Sequence, residues 1–226
     1  MTFPPEGTSM RASSFRSLRN KLFLAAVLAS PITSLAQSDS KTVRSNYVIS
    51  VQDLKLIGKG HAAFDKGSRL LDKGDTVGSL PYLEKAIAQS PEHYVAYYDL
   101  GVANFRLGHT DDAEQAFQKA IDLTGGSFAP PQFGMGALLC VKQQFVQAEK
   151  ILQRGLDLDP GSAIGKYYLG WAQFALNRFA EAERSAQQAL FRNPNFPEAR
   201  ALLETIHHRI YVRQNAAEAT VANAKP

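Results

Sequence analysis

Apolar residues recur at helical spacing along most of this chain, and the arrangement repeats. Ala113, Ala116, Phe117, Ala120 and Ile121 fall three or four apart and mark one face of an amphipathic helix. Four segments align in register at spacings of 34, 35 and 34 residues, beginning at Gly60, Tyr94, Ala129 and Ala163. Position 8 of each unit reads Gly67, Gly101, Gly136 and Gly170, and position 20 reads Ser79, Ala113, Ala148 and Ala182. Position 27 reads Ala86, Ala120, Gly155 and Ala189, and position 24 carries Leu83, Phe117, Leu152 and Ala186.

Small residues at positions 8, 20 and 27 let two helices approach where a larger side chain would overpack the contact, and position 24 fills the space between them. Gly74, Gly108 and Asn177 at position 15 mark the turn back. Pro91, Gly125, Pro160 and Pro194 at position 32 end the second helix. Each unit therefore predicts a helix–turn–helix hairpin. Gly125-Gly126-Ser127 adds one residue and Pro130-Pro131 opens the third unit, so an irregular junction is expected between units two and three. Pro81 falls early in a second helix, where it is tolerated only near the start.

These columns resemble the tetratricopeptide repeat, with the match covering residues 60–194 as units 60–93, 94–128, 129–162 and 163–196. The column where that family often has Trp departs from it, reading Ala63, Tyr97, Gln132 and Lys166. The resemblance implies an all-α fold, a right-handed superhelical solenoid of four hairpins. Residues 197–214 carry Ala199, Leu202, Leu203, Ile206 and Ile210 on one side and predict a capping helix, with Glu204 where a further unit would need Gly. Residues 215–226 have no such pattern and are expected to form a disordered tail. Residues 37–59 contain the strand-prone run Tyr47-Val48-Ile49-Ser50-Val51 and read as an extended segment.

The resemblance also implies that positions 2, 5, 9, 12 and 13 face a concave groove. Position 5 carries Phe64, Tyr98, Phe133 and Tyr167, position 12 adds Phe105 and Phe174 beside Leu71 and Cys140, and position 9 adds Trp171. Aromatic side chains give large contact area at modest entropy cost, so Phe64, Tyr98, Phe105, Phe133, Tyr167, Trp171 and Phe174 are the candidate peptide-binding residues. The same rings could instead pack between neighbouring hairpins. Some family members clamp a C-terminal carboxylate with cations in this groove. The matching positions here are Phe64, Ser68, Asp99, Pro130 and Gly134, none of them a cation, so that mode is excluded. Arg69 and Arg106 read as solvated surface residues.

Charge changes the picture only at the N-terminus. Residues 1–36 hold Arg11, Arg16, Arg19 and Lys21 against Glu6, and without them the net charge falls from +4 to +1. A basic stripe for nucleic acid is therefore not expected. The basic region precedes the apolar run Leu22–Ala29, then Pro31 and Ser34-Leu35-Ala36, the layout of a secretory signal cleaved between Ala36 and Gln37. Met10 offers an alternative start. The apolar run is short for a membrane span, an uncleaved anchor being the rival reading. A periplasmic or secreted protein follows, with no stable membrane span after cleavage.

One cysteine, Cys140, rules out an intramolecular disulfide and reads as a small buried hydrophobe. His61, His93, His109, His207 and His208 read as surface residues, and His207 and His208 point about 100° apart on a helix, so they share no metal face. Asp111, Asp112, Glu114, Glu181 and Glu183 fall in the first turns of second helices and are expected to face water. No phosphate loop, serine elbow or metal-binding His pair is present. The expectation is a non-enzymatic scaffold without a cofactor that binds a protein or peptide. The alternatives are a self-associating structural module, so that a homo-oligomer stays open, and a peptidoglycan or carbohydrate binder.

Overall fold

The computed structural model describes residues 60–223, with side chains described to residue 216. Within that range the chain forms α1 (His61–Asp72), α2 (Thr76–Gln89), α3 (Tyr94–Leu107), α4 (Thr110–Leu123), α5 (Ala129–Val141), α6 (Phe145–Leu158), α7 (Ala163–Ala175), α8 (Phe179–Arg192) and α9 (Pro197–Asn223). No strand occurs among the described residues. Consecutive helices pair into four hairpins and α9 closes the row. Each first helix also lies against the next first helix, whereas successive second helices make at most marginal contact with one another. That asymmetry bends the row into a superhelical solenoid with α1, α3, α5 and α7 on the inner side.

Local chemistry sets the ends of these helices. Asp75 Oδ1 accepts from the Gly78 N–H at 2.9 Å to start α2, and Ser162 Oγ accepts from the Gly165 N–H at 3.2 Å to start α7. Every turn inside a hairpin places its fifteenth residue in the left-handed region: Gly74 at φ 85°, Gly108 at 79°, Gln143 at 60° and Asn177 at 62°. The repeat spacing hid Gln143, which adopts this conformation without the freedom of Gly. Pro81 sits in the interior of α2 and removes one backbone hydrogen bond there.

Inside the hairpins the glycine column is filled from the facing helix. A methyl group on Gly101 would lie 2.6 Å from the Phe117 ring, and one on Gly134 of the next unit would lie equally close to the same ring. Phe117 is fully buried, so one side chain binds α3, α4 and α5 together. Truncating it to Ala would cost about 3–5 kcal/mol. The extra residue between units two and three is absorbed by Gly125 and Gly126, both at positive φ, and Gln132 Nε2 donates to the Gly126 carbonyl at 2.7 Å.

Acids expected to face water instead tie neighbouring units together. Position 21 is Glu114, Glu149 and Glu183 in units two to four. Glu114 meets Lys142 at 2.5 Å, Glu149 meets Arg178 at 2.6 Å and Glu183 meets His207 at 2.8 Å, each partner lying in the next unit or the cap. Asp111 and Glu181 join the first two pairs. Lys142 and Arg178 stand in the turns within the next hairpins and His207 on α9, so each acid on a second helix reaches across to the following unit although the second helices themselves stand apart. The first unit has Leu80 in this column, and there Arg106 Nη1 donates to the Leu71 carbonyl at 2.9 Å, so Arg106 is not a merely solvated residue.

The capping helix is longer than its apolar pattern. Ala199, Leu202 and Ile206 are buried, but α9 continues past residue 214 to Asn223 through residues expected to be disordered. Residues 215–223 are rich in Ala and hold neither Gly nor Pro, a composition whose helix propensity suits the longer element.

The strained turn can be tested directly. Gln143 is exposed and pays for a left-handed backbone, so Gln143→Gly should raise the unfolding free energy by up to about 1 kcal/mol in urea titrations.

Candidate functional site

The ring at position 5 belongs to the junctions between units. Phe64 lies 4.5 Å from the His93 ring, Tyr98 lies 6.1 Å from Phe128, and Tyr167 lies 5.1 Å from Phe196. His93, Phe128 and Phe196 stand just ahead of α3, α5 and α9, so each ring lodges where the chain enters the next unit. The third unit has Ser162 at that place and solves the contact differently. There the Phe133 ring edge presses against two glycines: a methyl on Gly155 would lie 2.6 Å from Phe133 Cε1, and one on Gly165 2.5 Å. Aromatic pairs of this kind add about 0.5–1.5 kcal/mol beyond their buried area. Phe64, Phe133 and Tyr167 are buried and Tyr98 is half-buried.

Position 12 is also largely taken up by packing. Phe105 is 5% exposed, the Cys140 thiol donates to the Tyr168 carbonyl at 3.8 Å on α7, and Phe174 lies 5.6 Å from Phe179 within its own hairpin. Burial pushes the Cys140 thiol far above its ordinary range, which keeps it protonated and unreactive. Trp171 is 7% exposed and sits 6.0 Å from Tyr168, which meets Tyr167 at 4.9 Å. Tyr168, at position 6, was not a candidate from sequence. Burial raises both tyrosine hydroxyls, so they stay neutral.

Three columns remain on the inner side after these assignments: positions 2, 9 and 13. In the third unit they read Pro130, Ala137 and Val141, and in the fourth Ile164, Trp171 and Ala175. Charge enters this stripe only toward the start of the row, with His61 and Asp72 in the first unit and Arg106 in the second. Burial lowers the Arg106 pKa, while Tyr98, Asp72 and Asp99 act in the opposite direction. Helix α5 carries no charged residue, and every residue from Ala129 to Cys140 is buried. Of these six third- and fourth-unit residues only Val141 and Ala175 are partly exposed, Pro130, Ala137, Ile164 and Trp171 being buried, and the stripe offers no acid–base pair. Among the described residues no three His, Cys, Asp or Glu side chains cluster in a way that would hold a metal ion.

A row of stacked helical hairpins with an apolar inner stripe defines a scaffold of the solenoid class. Residues 64–128 and residues 142–206 each match a family described as Tetratricopeptide repeat, together more than half of the chain. The chain belongs to the tetratricopeptide repeat family. Its fold is similar to that of MamA (41-end) from Desulfovibrio magneticus RS-1, at 22% identity and TM-score 0.59, covering 73% of this chain and 93% of that one. It is also similar to pilF of Pseudomonas aeruginosa, at 19% identity and TM-score 0.61, covering 76% and 79%. A third similar structure is YrrB, described as a TPR protein with an unusual peptide-binding site, at 18% identity and TM-score 0.55, covering 81% and 89%. At these identities the likeness shows the fold alone. No curated protein matches the chain.

His93 corrects the expectation of surface histidines and makes the first junction sensitive to pH. It is 1% exposed, and its Nδ1 accepts from the Ala96 N–H at 3.2 Å to cap α3. Burial, and then the nearby His61, lower its pKa from 6.5 to about 4. The folded state therefore resists a proton that the unfolded chain accepts. The resulting stability is complete above pH 6.5 and is lost as pH falls from 6.5 toward 4. Urea midpoints across that window should show a steeper decline for the parent than for His93→Asn, which keeps a capping side chain and does not titrate.

Proposed function

We propose that this tetratricopeptide scaffold is a protein-binding adaptor that holds an apolar peptide segment of a partner along positions 2, 9 and 13, and that it works outside the cytoplasm. The observation that carries the reading is the uncharged stripe across α5 and α7, with Trp171 at its centre. Burying apolar side chains against it would stabilise a complex by roughly 25 cal/mol per Å² of area removed from water, before the costs of association. The printed description of YrrB as having a peptide-binding site supports a peptide as ligand. The leader pattern in residues 1–36 supports export; it lies outside the described residues. Among the described residues no helix is long and apolar enough to cross a membrane.

The aromatic candidates divide between two roles in this reading. Phe64, Tyr98, Phe133 and Tyr167 space the units, Phe105 and Phe174 support the inner helices, and Trp171, itself mostly buried, lines the stripe beside the partly exposed Val141 and Ala175. A carbohydrate ladder loses its motivation, because most of the rings that suggested it lodge between hairpins.

A photo-reactive residue at Val141, on the inner stripe, should capture an envelope protein on irradiation in a cell-envelope extract. The same residue at Val146, 51% exposed on α6, should not. Capture from Val146 alone, or from neither site, would contradict the groove.

A further inference from the structure

We propose that the outer side of the third and fourth units docks on an anionic lipid surface, with Phe191 entering the bilayer interface and basic side chains of α6 and α8 meeting the headgroups. This surface stands apart from the inner stripe and does not depend on what that stripe holds. Residues 37–59, expected to be extended, lie outside the described residues and take no part in it.

The register of the repeat builds the surface. Positions 22, 26 and 30 fall four apart on each second helix and so form one stripe along it. In the third unit they read Lys150, Arg154 and Leu158, in the fourth Arg184, Gln188 and Arg192, and all six are exposed. Consecutive units present the same columns to the same side, which sets the two stripes beside each other. Phe191, at the end of α8, is 81% exposed, where the other units carry Ala88, Asp122 and Asp157. The Arg192 guanidinium lies 5.9 Å from the centre of that ring. Leu158, at the end of α6, is 45% exposed. Lys166, near the start of α7, links the two ends, its Nζ donating to Gln188 Oε1 at 2.8 Å. Burial, then Arg192, lower the Lys166 pKa, while Asp159 acts in the opposite direction.

The charge here is not consumed by the fold. Arg178 takes up Glu149 and Glu181, and His207 takes up Glu183. Lys150, Arg154, Lys166, Arg184 and Arg192 enter no ion pair among the described residues. Of the remaining acids on this side, Asp157 accepts from Gln153 and Asp159 stands near Lys166. The earlier units differ: the same three positions read Pro81, Lys85 and Gln89, then Gln115, Lys119 and Leu123, and α4 adds Asp111, Asp112 and Asp122. The cationic surface with its exposed ring is thus confined to units three and four.

Shape selects the occupant. Second helices form the convex side of a curved row, which has no groove to grip an extended peptide. A fluid bilayer conforms to a convex surface, offers phosphates to Lys and Arg, and takes an aromatic ring at its interface. Each basic residue close to an anionic leaflet strengthens partition roughly five-fold.

The test floats the full chain with vesicles of phosphatidylglycerol and phosphatidylcholine. Arg154→Gln and Arg192→Gln should each lower the partition roughly five-fold, and vesicles of phosphatidylcholine alone should abolish that difference. Phe191→Trp provides a second readout, with Trp171 as the only Trp background. Doxyl-labelled lipid in the anionic vesicles should quench this variant beyond the parent chain. Val77→Trp, exposed on the outer side of the first unit, should show no added quenching. Partition indifferent to both arginine substitutions would overturn the proposal, and so would a vesicle-bound Phe191→Trp chain without added quenching. Retention by polyglutamate with no flotation would assign the surface to an acidic polypeptide and overturn it as well.

Discussion

Everything in this solenoid depends on how one hairpin seats against the next. A repeat of this kind touches only its neighbours, so no distant contact can correct a poorly fitted junction. The junction is made by a ring at position 5 wedged where the chain enters the following unit. Three junctions pair that ring with a second ring, as Phe64 does with His93, and the third gives Phe133 the space of two glycines. Close packing demands one solution or the other, since a void or a clash at each step would add up along the row. Around this contact the remaining features are arranged: Phe117 locking three helices, and the position 21 acids holding the outer sides of the units.

That division of labour shapes the function. Rings used as wedges are not available to a ligand, and the inner stripe left over is defined by smaller aliphatic residues with Trp171 among them. In the proposed role, a stripe with no charge in units three and four would select by shape and apolar area rather than by ion pairing, which fits the missing carboxylate clamp. Charge returns only near the start of the row. The inner stripe is thus polarised along its length, uncharged in units three and four and charged in units one and two.

The hairpins were legible because their columns recur, and recurrence in register survives the replacement of any single residue. The role of position 5 was not, since an aromatic at helical spacing looks the same whether it faces a groove or a neighbouring unit. A signal did exist in the residues before the next unit: His93, Phe128 and Phe196 stand there, and Gly155 and Gly165 accompany the one exception, Ser162. Likewise Glu114, Glu149 and Glu183 share one column, but their partners come from a different unit, and intra-helix spacing does not find them. Gln143 and His93 were hidden for another reason. Neither residue type advertises a left-handed turn or a buried cap, and tertiary packing imposes both. The helix beyond residue 214 runs through an Ala-rich stretch of high helix propensity, which a search for apolar periodicity passes over.

A double-mutant cycle between Phe133 and Gly155 reads the central contact most directly. In an ordinary helix Gly→Ala stabilises by up to about 1 kcal/mol. Here Gly155→Ala should destabilise by about 1–3 kcal/mol, because the added methyl meets a ring that cannot withdraw. In a Phe133→Leu background the same change should become markedly less costly, with a coupling of about 1 kcal/mol or more. Strict additivity, or a stabilising Gly155→Ala in the parent chain, would show that the wedge does not set the junction.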